Sequence, residues 1–284
     1  MATVPYKGVN IFNEDGTFRK EDDKVQGRSY SSNLTKLVKH LDKLENLQQG
    51  KPASPVMAHI SLTNACNLTC SFCCFANRDI SDKMPTEKVF QALESFKAIG
   101  VTGVEFTGGG EPSIHPHFKE IVQYAKDLGF SLGICTNAAR FGANRPIKKD
   151  IVELFDWVRM GMYGFYEGYD YDLSVFEGTN CKPSAAYVWD ENLETSSNPN
   201  ITGEWSDVKN KRVLSKKFQT TENFIRMLDW VEENQIPCRI AFNAIKDVKE
   251  TAKDIETIRG IIEEYEKDRG RKLKSAFLSD FNFK

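Results

Sequence analysis

Three cysteines in one short stretch, Cys66, Cys70 and Cys73, constrain this chain more than any other feature. All three thiols can turn inward from a single loop onto one metal centre. Thiolates are the usual ligands of iron–sulfur clusters, and a [4Fe–4S] cube normally takes four of them. A loop that supplies three leaves one metal position open for a substrate or cofactor, whereas a fourth ligand would close it. The count therefore points to chemistry more than to architecture. Cys74 adjoins Cys73, so its side chain is expected to point away from a centre that Cys73 binds, and it stays outside the ligand set.

The flanks agree with a loop that has a strand before it and a helix after it. Residues 56–63 read as a core strand leading straight into the cysteines, with His59 inside it read as a packed histidine rather than a ligand. Pro85 then opens a helix with Val89, Leu93, Phe96 and Ile99 on one face, ended by Gly100. Strands are expected at 102–106, 130–135, 157–163, 237–245 and 273–279, with helices between them. One helix carries Phe118, Ile121, Val122, Ala125 and Leu128, and further helices run through 147–154, 221–234 and 255–265. Strands alternating with helices imply parallel β/α units.

Ahead of this core, residues 9–18 resemble a small hairpin around Asp15-Gly16. Leu34, Leu37, Val38, Leu41, Leu44 and Leu47 recur at helical spacing up to Gly50. The expected organisation is an N-terminal extension, 1–55, and a core, 56–284. The segment 164–217 breaks the rhythm, being far longer than an ordinary connection. It leaves the C-terminal end of the fourth strand, so it reads as a lid or substrate wall or else as a surface insertion. Tyr163, Tyr166, Tyr169, Asp170, Tyr171 and Asp172 are its densest hydrogen-bonding patch, and Tyr163, Tyr166, Asp170 and Asp172 are the candidate substrate contacts.

Cys66-x3-Cys70-x-Phe72-Cys73, followed after the next strand by Gly108-Gly109-Gly110-Glu111-Pro112, resembles the cluster loop and Gly-Gly-Glu-Pro motif of the radical S-adenosylmethionine (SAM) superfamily. The resemblance spans about residues 56–280 and is densest over 63–112. It implies an α/β fold, a partial (β/α)6 barrel with an N-terminal helical extension and a long insertion after the fourth strand. Its active site would lie at the C-terminal ends of the strands, as in β/α barrels generally. It also implies a [4Fe–4S] cluster on Cys66, Cys70 and Cys73, with SAM near Phe72, Gly109, Gly110 and Glu111. Thr136 and Asn137 match positions that hold polar groups near SAM's ribose or carboxylate. Arg159-Met-Gly161 departs from the usual Arg-x-Ser pattern of the fourth strand, so Arg159 or the loop after it is expected to substitute for the missing hydroxyl, and Asn243 is a further candidate, with strand packing as its other reading.

The implied activity is reductive cleavage of SAM to a 5′-deoxyadenosyl radical that abstracts hydrogen from a small-molecule or nucleotide substrate. Electrons would come from a one-electron donor such as flavodoxin or ferredoxin, and the centre would be oxygen-sensitive. A peptide- or protein-modifying maturase is the alternative, since the motifs look most like the group of molybdenum-cofactor synthesis protein A and the peptide maturases. A non-catalytic metal-binding protein is a distant third. Cys135, Cys181 and Cys238 read as ordinary buried thiols, with a radical quencher or second-cluster ligands as the other reading.

Composition narrows the partners. Lys+Arg 38 against Asp+Glu 40 gives a net charge of -2, which indicates no overall footprint for nucleic acid. No apolar run reaches the roughly 18 residues of a membrane helix, and the first residues lack a signal peptide's apolar region, so a cytoplasmic protein is expected. Seven cysteines, an odd number with four inside 66–74, fit reduced thiols better than disulfides.

Overall fold

The computed structural model describes residues 40–70, 73, 75, 78–162, 171–189, 194–197, 216–217, 221–242 and 248–278. The hairpin expected over 9–18 lies outside them, as do Phe72, Cys74, Tyr163, Tyr166, Tyr169, Asp170 and Asn243. The chain divides into two compact units, Met1–Ser54 and Pro55–Lys284. In the first, helix α1 (Leu41–Gln48) is described, with Leu41 and Leu47 exposed, and Lys43 Nζ donates to the Ser54 carbonyl at 3.0 Å.

The second unit is a parallel sheet with helices on one face. Its strands in chain order are β1 (Met57–Ile60), β3 (Gly103–Phe106), β4 (Ser131–Thr136), β5 (Trp157–Gly161), β6 (Lys182–Trp189), β9 (Cys238–Phe242) and β10 (Ala276–Leu278). They lie side by side in that same order, every neighbouring pair parallel. β1 and β10 are the two edges, so the sheet is an open, partial barrel rather than a closed one.

Helices α2 (Thr86–Ala98), α3 (Phe118–Asp127), α4 (Lys149–Val152), α5 (Thr221–Glu233) and α6 (Val248–Arg269) fill the connections. Each covers the sheet through its apolar stripe. Val89 and Leu93 of α2, one helical turn apart, are fully buried, as are Phe224, Met227, Leu228 and Val231 of α5. Fully burying side chains of this size is worth roughly 1.5–3 kcal/mol apiece, which makes this face the main source of stability. Phe106, Phe118 and Phe155 meet there edge-on and stacked, with ring centroids 6.3–6.4 Å apart.

All six expected strands are present, and β6 adds a seventh from within the insertion. The described part of the connection before it holds a 3-10 turn, Ser174–Phe176, where the alternation expects an α-helix. Ala185, Tyr187 and Trp189 of β6 are buried, and Tyr187 and Trp189 pack on Phe224 with centroids 5.5 and 5.3 Å away. A second, three-stranded sheet joins the rest of the insertion to the cysteine loop. Here β2 (Leu68–Cys70) pairs antiparallel with β7 (Glu194–Ser197), and β7 with β8 (Lys216–Lys217).

Strand alternation assigns the other face of the large sheet. Val104, Ile134, Val158, Tyr187 and Ile240 point to the helices, so Glu105, Cys135, Arg159, Ser184 and Arg239 point into the concavity. Trp157 confirms this side, because its ring lies directly over Gly133 of the neighbouring strand, where any Cβ would collide with it.

Candidate cofactor site

The cysteine loop and the glycine turn leave adjacent strands, β1 and β3, at the same end of the sheet, and they are bolted together through the backbone. Gly110 N–H donates to the Thr63 carbonyl at 2.7 Å, and Glu111 N–H to the Ala65 carbonyl at 2.8 Å. The approach leaves no room for side chains. A Cβ on Gly110 would overlap the Ala65 carbonyl, and one on Gly109 would lie 2.7 Å from Asn64 Oδ1 and 2.8 Å from the Thr63 oxygen. Gly108 and Gly109 also have φ of 76° and 59°, the left-handed region that glycine tolerates. The glycines thus serve first to dock the turn against residues 61–65.

Glu111 is 2% exposed and organises the next layer. Its Oε1 accepts from Ser113 N at 3.2 Å, Ser113 Oγ at 2.6 Å and Thr136 Oγ1 at 2.6 Å, while Oε2 accepts from Asn137 N at 2.8 Å. A carboxylate offers about four acceptor sites, two on each oxygen, so the spare capacity lies on Oε2. Asn137 carries the network to the cysteines: its Nδ2 donates to Asn67 Oδ1 at 2.7 Å and approaches Cys66 Sγ at 3.9 Å. Thr136 and Asn137, at the end of β4, therefore tie Glu111 to the loop that bears Cys66.

Arg78, which sequence reasoning passed over, closes the loop from its far side. Its Nε donates to the Asn64 carbonyl at 2.5 Å, and Nη1 reaches the Phe75 carbonyl at 2.6 Å and Cys73 Sγ at 3.6 Å. Cys66, Cys70 and Cys73 are all half-buried cysteines outside any disulfide. Burial pushes the Cys66 thiol up to about 11, with the Glu111 charge adding to the effect and Arg78 opposing it.

Residues 60–166 match the family model of the radical SAM superfamily. Over that stretch, which is less than half of its length, the chain is similar to that superfamily. Among curated proteins, it is 33% identical over 98 residues to an S-adenosylmethionine-dependent nucleotide dehydratase of Selenomonas ruminantium, covering 34% of this chain and 35% of that one. It is 32% identical over 84 residues to the sporulation killing factor maturation protein SkfB of Bacillus subtilis (strain 168), covering 29% and 20%. The matched stretches thus span about a third or less of these relatives. Among solved structures, Streptococcus suis SuiB bound to S-adenosylmethionine superposes with a TM-score of 0.53 at 18% identity, over 89% of this chain and 57% of that one, a likeness of fold.

Likeness to the radical SAM superfamily over residues 60–166 implies a [4Fe–4S] cluster and SAM, and the loop thiols are donors of the right kind. Among the described residues no three His, Cys, Asp or Glu side chains converge on a single ion. A mononuclear zinc site would require such convergence, with Zn–S bonds of about 2.3 Å. Thiolates are the usual ligands of such a cluster, and the loop supplies three of them, with Arg78 beside Cys73.

The remaining candidates separate. Arg159 projects from β5 into the concavity, its guanidinium 5.3 Å over the Trp157 ring and its Nη1 3.7 Å from Cys135 Sγ. Cys135 is not an ordinary buried thiol. It faces the concavity, donates to Glu105 Oε1 at 3.1 Å, and burial pushes it up to about 12, so it stays protonated. His59 is exposed and lies 3.5 Å from Glu105 Oε2. Cys181 and Cys238 are buried, Cys238 beside Met227. Asp172 spends its carboxylate on two loops, with Oδ1 accepting from Ser174 N and Oγ in its own turn and Oδ2 from Ala143 N in the connection between β4 and α4.

His115, also missed in the sequence, secures the turn after Glu111. It is 4% exposed, its Nε2 donates to the Met84 carbonyl at 2.9 Å, and its Nδ1 accepts from His117 N at 3.2 Å. These two bonds require the neutral ring, and burial holds its pKa below the ordinary 6.5. The unfolded chain therefore takes up the proton first as pH falls. Stability supplied by the neutral ring is complete above about 6.5 and is lost on acidification from 6.5 toward the lowered folded value. His115→Phe should cost about 1–3 kcal/mol by orphaning both partners, and should flatten the pH dependence of thermal unfolding between pH 5 and 7. Parallel pH profiles for variant and parent would refute this role.

Among the described residues no helix is long and apolar enough to cross a membrane.

Proposed function

We propose that this chain is a radical SAM enzyme in which Cys66, Cys70 and Cys73 hold a [4Fe–4S] cluster with one iron left for SAM. The observation that carries the reading is the backbone docking of the cysteine loop onto the Gly109-Gly110-Glu111 turn. It joins a three-thiol ligand set and an anionic, hydrogen-bonding turn into one rigid corner at the C-terminal end of a parallel sheet. When bound and reduced, the cluster and SAM supply a 5′-deoxyadenosyl radical for hydrogen abstraction from a small-molecule or nucleotide substrate.

The chain's own residues position and shield. Glu111 Oε2 has the capacity to accept from SAM's amino group, while Thr136 and Asn137 hold that carboxylate still. Phe72, Arg159 and Asn243 complete the expected cofactor contacts, and Tyr163, Tyr166 and Asp170 are the expected substrate contacts. A flavodoxin or ferredoxin is the expected electron donor. A peptide substrate is the second reading, favoured by the likeness to the maturation protein SkfB.

The test is anaerobic reconstitution with iron and sulfide, then SAM and dithionite, with 5′-deoxyadenosine followed by liquid chromatography. Formation of 5′-deoxyadenosine supports the reading. A fully loaded cluster that gives none, with or without an added pool of small metabolites, counts against it.

A further inference from the structure

Arg78 does more than close the cysteine loop. Its own segment is folded so that the side chain returns to that loop. Arg78 N–H donates to the Phe75 carbonyl at 3.2 Å and Asp82 N–H to the Asp79 carbonyl at 3.3 Å, which makes two consecutive tight turns. The segment then locks onto the stretch that leads into the cysteines. Asn64 N–H donates to the Asp82 carbonyl at 2.9 Å, Met84 N–H to the Leu62 carbonyl at 2.9 Å, and Thr63 faces Lys83 in an antiparallel bridge.

This fold sets one guanidinium between the two ends of the ligand run. Nε donates to the carbonyl of Asn64, just before Cys66, at 2.5 Å, and Nη1 donates to the carbonyl of Phe75, just after Cys73, at 2.6 Å. Nη1 carries a second hydrogen, and Cys73 Sγ lies 3.6 Å from it, a distance lengthened by the size of sulfur. A guanidinium holds its donors in one rigid plane, so a single side chain reaches two carbonyls and a sulfur at once. The point charge of a lysine cannot do the same.

The charge is not spent on a carboxylate. Among the described residues no ion pair involves Arg78, and the adjacent Asp79 carboxylate accepts from Ser81 N and Oγ instead. Its two oxygen partners are neutral carbonyls. The positive charge therefore stands beside the Cys73 sulfur.

We propose that Arg78 is a positioning residue that raises the reduction potential of the centre held by Cys66, Cys70 and Cys73, by giving the Cys73 sulfur a charge-assisted hydrogen bond while bracing both ends of the loop. The proposal rests on the radical SAM reading. Reduction adds one electron, taken from the external donor, to a centre already ligated by thiolates. A cation and an N–H donor at a ligand sulfur stabilise the added negative charge, so the potential moves up.

The experiment compares the full chain with Arg78→Gln and Arg78→Lys in two measurements. In the first, each protein is reconstituted anaerobically with iron and sulfide and poised at a series of potentials with dithionite and redox mediators, and the reduced cluster is counted by electron paramagnetic resonance. At the parent's midpoint, the ratio of reduced to oxidised cluster should fall at least threefold in Arg78→Gln, about 28 mV at 59 mV per tenfold change. Arg78→Lys keeps the charge without the fork and should fall less. In the second, backbone hydrogen exchange over residues 64–70 of the metal-free chain should quicken at least threefold in both variants, since neither can tie the two carbonyls together. A loop that only lost its brace would change exchange and leave the potential where it was.

The two readings fail in different ways. A parent that takes up no iron sinks the radical SAM reading and the tuning with it, while hydrogen exchange still decides the brace. A loaded parent that forms 5′-deoxyadenosine, with both variants at its own midpoint, would overturn the tuning alone. If Arg78→Gln retains no cluster, Arg78→Lys decides: a midpoint below the parent's supports the tuning, and one equal to it or above overturns it. Parental exchange in both metal-free variants would overturn the brace.

Discussion

Gly110→Ala should be among the most damaging single substitutions in this protein. The residue needs no left-handed backbone, so the penalty is steric: its Cβ would sit inside the Ala65 carbonyl. That carbonyl cannot turn away, because it accepts the Glu111 N–H at 2.8 Å while Gly110 N–H is held by Thr63 at 2.7 Å. Backbone against backbone has no rotamer to relieve it. A cost of about 3 kcal/mol or more is expected, which for a domain of this size lowers the unfolding midpoint by roughly 6–12 °C. The same displacement pulls the cysteine loop off the turn, so iron retained after reconstitution should fall with it. Gly103→Ala is the control, since its Cβ would meet the Ser131 oxygen at an ordinary 3.6 Å, and it should leave both quantities near parental values. Parental stability and iron content in Gly110→Ala would show that the docking is not what holds the loop.

The glycine motif also marks where sequence reasoning reached its limit. Strand, three glycines, Glu and Pro locate a tight turn beside a ligand site, and that turn is where it is expected. What a one-dimensional pattern cannot reveal is the body the glycines approach, here residues 61–65 of the neighbouring loop. The same holds for Glu111. Its type announces an acceptor, but its four protein donors come from Ser113, Thr136 and Asn137, up to 26 residues away. His115 and Arg78 were missed for a related reason, because each acts on backbone carbonyls whose positions only the fold defines.

The sheet was legible wherever an amphipathic helix separated two strands. β6 escaped because two of its features run against the pattern. Lys182-Pro-Ser-Ala-Ala lacks the β-branched and aromatic residues that mark a strand, and the connection before it offers a 3-10 turn instead of a periodic helix. Its burial comes from Tyr187 and Trp189 packing on a helix that begins more than thirty residues later. The concave face was hidden for the same physical reason. Cys238-Arg-Ile-Ala alternates in a way that puts Arg239 and Ala241 on one side, but only the register with Ala186 of β6 and Phe277 of β10 shows which residues stand at the level of Arg239.

Cys70→Ala tests the opposite kind of residue, one whose loss should change chemistry and leave the fold alone. Cys70 joins β2 to β7 by position, opposite Thr195, and that ladder uses backbone groups that alanine retains. The thiol is only half-buried, so its removal should change stability by no more than about 0.5 kcal/mol, as for other peripheral substitutions. With two loop thiols left, iron binding after reconstitution should drop sharply and 5′-deoxyadenosine formation should disappear. Cys238→Ala provides the contrast. That thiol is fully buried against α5, so its loss should lower the unfolding temperature while the reconstituted iron content stays at the parental level. If Cys70→Ala kept full SAM cleavage, the ligand set would have to be drawn elsewhere. If instead it unfolded, β2 would owe its pairing with β7 to the thiol's packing, and the division between the ligands and the turn that positions them would fail with it.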